Sequence, residues 1–203
     1  MIPSARILFF LLLGGVSVPS IVRAQIDYTF TATAGGERSW ADSSNWNPVG
    51  VPGSSPDDHV TLAVPLQADL RLSLGTRNAV LAGLVIGSTL APVTSDLASG
   101  TGSLTLQNTL SDVVLVSRGV DGATNQISAT LILADTLVLS EASSRNVSLI
   151  GDLRLSNADQ TIFQNMTGGQ VLTIGAPGSS IKLYDASDPT VPRSLSVKVY
   201  RDN

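Results

Sequence analysis

The sequence predicts an all-β chain coiled as a parallel solenoid, and three observations predict it. Between Asn47 and Ile162 there is no Phe, Trp or Tyr, whereas a two-sheet sandwich draws much of its buried area from bulky aromatics. The same stretch keeps producing short aliphatic runs: Leu84-Val85-Ile86, Leu104-Thr105-Leu106, Leu131-Ile132-Leu133, Leu137-Val138-Leu139 and Leu153-Arg154-Leu155. Their spacing of roughly 20 residues (Leu84 to Leu104, Leu131 to Leu153, Leu153 to Leu172) is near one turn of a parallel coil. Alternation with a period of two dominates, as in Leu195-Ser-Val-Lys-Val-Tyr200, and no long window beyond the first two dozen residues carries helical spacing. An aliphatic core of this kind suits a narrow interior in which like side chains stack on like.

The elements follow in order. Residues 1–24 read as a signal-peptide helix. Met1 to Arg6 carries one positive charge, Ile7 to Val18 is apolar, and Val22-Arg23-Ala24 offers small residues for cleavage before Gln25. The apolar span is about a dozen residues, short of the roughly 20 a membrane-crossing helix needs. Residues 25–58 are expected to form an N-terminal cap and a lead-in loop, holding both tryptophans and ending in the turn-rich Val51-Pro-Gly-Ser-Ser-Pro-Asp-Asp58. Residues 59–203 are expected to form the coils. Within them Ser103-Leu-Thr-Leu-Gln-Asn108 and Asp152-Leu-Arg-Leu-Ser-Asn157 rhyme, each closing on an Asn that tolerates a tight bend. Ala91 to Gly100 reads as an insertion between coils. Pro177 to Asn203 either folds over the last coil or leads into a longer product.

Composition narrows the function classes. There is no cysteine, hence no disulfide, thiolate metal site or thiol nucleophile. The chain has 12 basic and 16 acidic residues. Cleavage after Ala24 would remove Arg6 and Arg23, leaving 10 against 16 and a net charge of −6. That sign disfavours nucleic acid and anionic membrane surfaces as partners.

One segment carries a family resemblance. In Ser39 to Leu62, the residues Trp40, Asn45, Trp46, Pro52, Gly53 and Asp58 fall in order before the apolar strand Val60-Thr-Leu62. This resembles the N-terminal signature of bacterial secreted proteins with autotransporter-associated β-strand repeats, many of which carry a PEP-CTERM sorting tail. The resemblance implies a right-handed parallel β-helix of the pectin-lyase-like kind, begun by a tryptophan-bearing cap. Residues 185–203 depart from it, with neither a Pro-Glu-Pro tail nor an apolar terminal helix.

Candidate sites are few. Trp40 and Trp46, with Asn45, either present indole faces to a sugar ring or plug the first coil, and their place before the first strand favours the plug. Asp57-Asp58-His59 has metal-ligand chemistry, but neighbours on an extended segment point to opposite sides. It is read as a solvated turn in which Asp58 satisfies amides. A lyase or glycosidase would need converging acids, yet Asp112, Asp121, Asp135, Glu141, Asp152 and Asp159 are scattered, with Arg118, Arg145 and Arg154 between them. Asp152 and Arg154 share a strand face and read as an ion pair. No nucleophile elbow, phosphate loop or dinucleotide fingerprint is present, and no cofactor is implied. The expectation is an exported structural or adhesive surface protein whose polar face meets extracellular polysaccharide or other surface proteins. A carbohydrate-active enzyme of the β-helix class is the alternative.

Overall fold

The computed structural model describes residues 24–140, 143–156, 159–164, 171–175, 183–185 and 194–199. The expected signal-peptide helix, apart from Ala24, lies outside them, as does Glu141.

The strands come in threes. The first round holds β1 (Asp27–Phe30), β2 (Gly36–Ser39) and the short β3 (Trp46–Asn47). Next come β4 (His59–Thr61), β5 (Leu70–Ser73) and β6 (Asn78–Leu81), then β7 (Gly83–Ser88), β8 (Thr94–Ala98) and β9 (Ser103–Leu106). The pattern repeats as β10 (Val113–Gly119), β11 (Thr124–Ile127) and β12 (Thr130–Leu133), then β13 (Leu137–Leu139), β14 (Val147–Leu149) and β15 (Leu153–Leu155). It continues with β16 (Asp159–Gln164), β17 (Leu172–Ile174), β18 (Leu183–Asp185) and β19 (Ser194–Val199).

Apart from β3, which joins the edge of sheet A beside β1, each sheet takes every third strand. Sheet A runs β19-β16-β13-β10-β7-β4-β1-β3, sheet B runs β17-β14-β11-β8-β5-β2, and sheet C runs β18-β15-β12-β9-β6. Every described pairing is parallel except β1 with β3. The chain is therefore all-β with three parallel sheets, an arrangement compatible with a solenoid.

Register explains the aliphatic runs. Because side chains alternate across a strand, parallel pairing without slippage stacks one inward residue on the next. Sheet C stacks Ala79, Leu104, Leu131 and Leu153 in one column and Leu81, Leu106, Leu133 and Leu155 in another. Sheet A stacks Val60, Leu84, Leu115 and Leu139, and sheet B stacks Leu72, Leu97, Ile127 and Leu149. All of these are buried and belong to one core. A fully buried Leu or Val contributes about 1.5–3 kcal/mol, so the ladders hold the fold without cross-links.

Two expectations about spacing need correction. Leu131 to Leu153 is a true register step, and the rhyming segments do fall in the same columns of sheet C. The other two intervals join strands of different sheets, since Leu84 pairs with Leu115 and Leu153 with Leu183. The usual step is longer, as with the 24 residues from Val114 to Val138. Nor is Ala91 to Gly100 an insertion: it contains β8, in register with β5 and β11. The strand escapes a pattern search because its inward Ser95 is polar.

At the corner leading into β15, backbone approaches backbone. A Cβ on Gly151 would lie 2.0 Å from the carbonyl oxygen of Ala129, so only glycine fits. At the C-terminal end, β18 and β19 extend sheets C and A as further rungs.

Candidate functional site

Tyr28, Phe30, Trp40 and Trp46 gather at the N-terminal end of sheets A and B. Asp42 opens a 3-10 turn at Ser43–Asn45, its carboxylate accepting from the Ser44 amide (3.0 Å) and hydroxyl (2.7 Å). Those two bonds, the hydroxyl first, lower the Asp42 pKa. The turn delivers Trp46 to β3 beside Phe30 of β1. Trp46 meets Phe30 edge-on at 5.5 Å and Trp40 at 4.8 Å between ring centroids. Trp46 Nε1 donates to the Trp40 carbonyl (3.0 Å), and Trp40 Nε1 donates to that of Pro52 (2.9 Å). Buried Asn45 donates through Nδ2 to the Ser39 carbonyl (2.9 Å). Trp40 and Trp46 are 0% and 1% exposed. A stacking platform needs an open ring face, and neither indole offers one here.

Asp58 departs from the solvated turn expected of it. Its Oδ2 accepts from the amides of Gly53 (3.0 Å) and Ser54 (3.2 Å), so it does satisfy turn amides, but it does so while buried. Its Oδ1 has no hydrogen-bond partner among the described residues. The Tyr28 phenol is buried nearby. Burial first, and the Asp58 charge second, raise the Tyr28 pKa.

The flanking residues face outward. Two open clefts have His59 in common, one on the outer surface of sheet A and one among the loops that enter its strands. The larger, about 480 Å³, has Asp27, Thr61, Val85 and Val114 among its walls. The smaller, about 350 Å³, runs between Asp57 and the loop carrying Asn108 to Ser111. That loop is fixed in place. The Asn108 amide donates to Asp135 (2.9 Å), Asn108 Oδ1 accepts from the Leu110 amide (2.9 Å), and the Thr109 hydroxyl donates to Asp57 (2.5 Å). His59 is a register partner of Asp27 on one side and Gly83 on the other. A Cβ on Gly83 would stand 3.1 Å from His59 Nδ1, so the imidazole sits where glycine leaves room.

Among the described residues the acids and arginines of the coils form separate pairs. Asp121 pairs with Arg145 (2.5 Å) at a corner. Asp152 reaches Arg154 at 3.9 Å, the ion pair their spacing suggested. Among the described residues no three His, Asp or Glu side chains gather as a metal-binding group.

Sequence reasoning missed a polar seam inside the core. Ser88, Ser95, Ser117, Asn125 and Ser143 are buried where sheet A turns into sheet B. Asn125 Nδ2 donates to Ser117 Oγ (2.8 Å) and to the Arg118 carbonyl (2.7 Å), and Ser117 Oγ donates to the Asn146 carbonyl (2.9 Å). Period-two counting could have found it, because Asn125 shares a face with Ile127 and Ser117 with Leu115.

No family model, curated protein or solved structure matches the chain.

Proposed function

We propose that this chain is a right-handed parallel β-helix of an exported bacterial protein, serving as a structural and adhesive surface scaffold without catalytic activity. The resemblance of residues 39–62 to autotransporter-associated repeat proteins supports export, as does the signal-like segment before Gln25. Its partners are extracellular polysaccharide or neighbouring surface proteins. Among the described residues no helix is long and apolar enough to cross a membrane.

The observation that carries the reading is the outward column of sheet B. Glu37, Arg71, Asp96, Gln126, Ser148 and Thr173 stack there, one per coil and all polar, with Asp96 itself buried. Arg71 bonds Asp96 (3.3 Å), and Ser128 donates to the other Asp96 oxygen (2.6 Å). Such a ladder repeats hydrogen-bonding groups at the strand spacing of about 4.8 Å. It suits an extended partner better than a point of chemistry.

The test has two arms. N-terminal sequencing of the protein recovered from the host's envelope or medium should begin at Gln25. The purified chain should adhere to immobilised surface polysaccharide without releasing reducing ends or unsaturated uronates. Product release that tracks the purified chain would replace the scaffold by the enzyme.

A further inference from the structure

We infer that the outer surface of sheet A around His59 is a second contact face of this scaffold, besides the polar column of sheet B, and that it takes a neutral, hydroxyl-rich glycan chain rather than an acidic one. The inference rests on the adhesive reading above and assigns it a place and a ligand class.

Four observations carry it. First, the two clefts share His59 as a wall, one on the outer face of sheet A and the other among the loops that lead into its strands. Their volumes of about 350 and 480 Å³ lie within the range of small-molecule sites. An extended ligand could occupy both.

Second, the imidazole of His59 makes no hydrogen bond among the described residues. Gly83 provides its seat. A half-exposed imidazole held in place but unpartnered offers a donor and an acceptor to a ligand hydroxyl.

Third, the floor is apolar and open. Val114 is 36% exposed, and Val85 and Val138 are half-buried beside it on the same outward face. The C–H face of a pyranose can cover such a surface while its hydroxyls turn to the rim.

Fourth, the charge is one-sided. Asp27 and Asp57 line the clefts, and among the described residues no Lys or Arg does. Each carboxylate has one oxygen already engaged, Asp27 by Gln25 (2.9 Å) and Asp57 by Thr109 (2.5 Å). The second oxygen of each accepts no bond among the described residues. Sugar hydroxyls can donate to these oxygens, in bonds strengthened by the charge. Uronate or sulfate groups would meet like charge with nothing to offset it.

Calorimetric titration of the full chain tests the assignment. The probes are neutral hexasaccharides of β-glucan, xylan and mannan type, with hexagalacturonate as the acidic one. At least one neutral probe should bind, and hexagalacturonate should not. Val114→Asp and His59→Ala should each weaken neutral binding about tenfold or more, with the denaturation midpoint unchanged. Neutral binding untouched by both substitutions would overturn this face while leaving the adhesive scaffold standing. Preference for hexagalacturonate would overturn the ligand class. Failure of the chain to bind any glycan or surface protein would overturn the scaffold reading, and this inference with it.

Discussion

The two ends of the described core are built on opposite rules. Around β1 and β3 the interior is made of large, dissimilar side chains locked by specific contacts: Phe30, Trp40 and Trp46, with both indole N–H groups donating to backbone carbonyls. From β6 to β15 the interior is a set of near-identical aliphatic columns, exemplified by Leu81, Leu106, Leu133 and Leu155. A stacked coil passes the same cross-section to its neighbour, so one residue type can serve every rung. Among the described residues no rung precedes the first coil, and its open apolar section is covered by side chains of unequal shape. Uniformity serves propagation, and irregularity serves termination.

The sharpest way to break this contrast is at Trp46. Trp46→Ala removes the ring that touches both other aromatics, and about 3–5 kcal/mol of stability should go with it in denaturant titration. Loss confined to the first coil should appear in hydrogen exchange as early opening of β1 and β3 while β12 stays protected. Uniform loss of protection would mean that the two regions are one cooperative unit.

The matching change in the ladder is Leu131→Ala, expected to cost about 2–5 kcal/mol. Its effect should reach Leu104 and Leu153, the residues above and below it in the column. If stability hardly changes, the columns close up around small residues, and the ladder is less tightly specified than the aromatic end.

Asn125→Ala tests the exception inside the ladder. It removes the bonds to Ser117 Oγ, which keeps its own donation to the Asn146 carbonyl, and to the Arg118 carbonyl, and each such bond contributes about 0.5–1.5 kcal/mol. A gain in stability would show that the seam is tolerated rather than stabilising.

The smallest effect is expected at Tyr28. Its folded pKa lies above its unfolded value because of burial and Asp58. The folded state therefore favours the neutral phenol, and the associated stability is whole below the unfolded pKa. It declines as pH rises from about 10 through the folded value. Tyr28→Phe should flatten the alkaline limb of a stability–pH curve and leave the neutral region nearly unchanged. An alkaline limb identical in both proteins would refute the assignment.

How legible all this was depends on the element. The strands β7, β9, β12, β13 and β15 could be read directly, because their inward residues are Leu or Ile and their neighbours alternate. The strand β8 was hidden, because Ser95 faces inward and Asp96 outward, which erases the alternation. The strand β11 has the same difficulty, with inward Asn125. Asp58 was read correctly as an acceptor of turn amides. Its burial was not legible, because that depends on packing in the folded chain. The His59 clefts were invisible, since they depend on which coil lies beside which.

The sequence alone determined the aliphatic character of the interior, the strand periodicity, the absence of covalent cross-links and the clustering of aromatics ahead of the coils. These are properties of composition and of side-chain alternation, which no partner is needed to define. Only the tertiary structure decided the length of a coil step, the three-sheet order, the burial of both indoles and the sharing of His59 between the cleft of Asp27 and that of Asp57. Those depend on register between segments some 25 residues apart. Register is chosen by the joint packing of all columns at once, and no local window contains it.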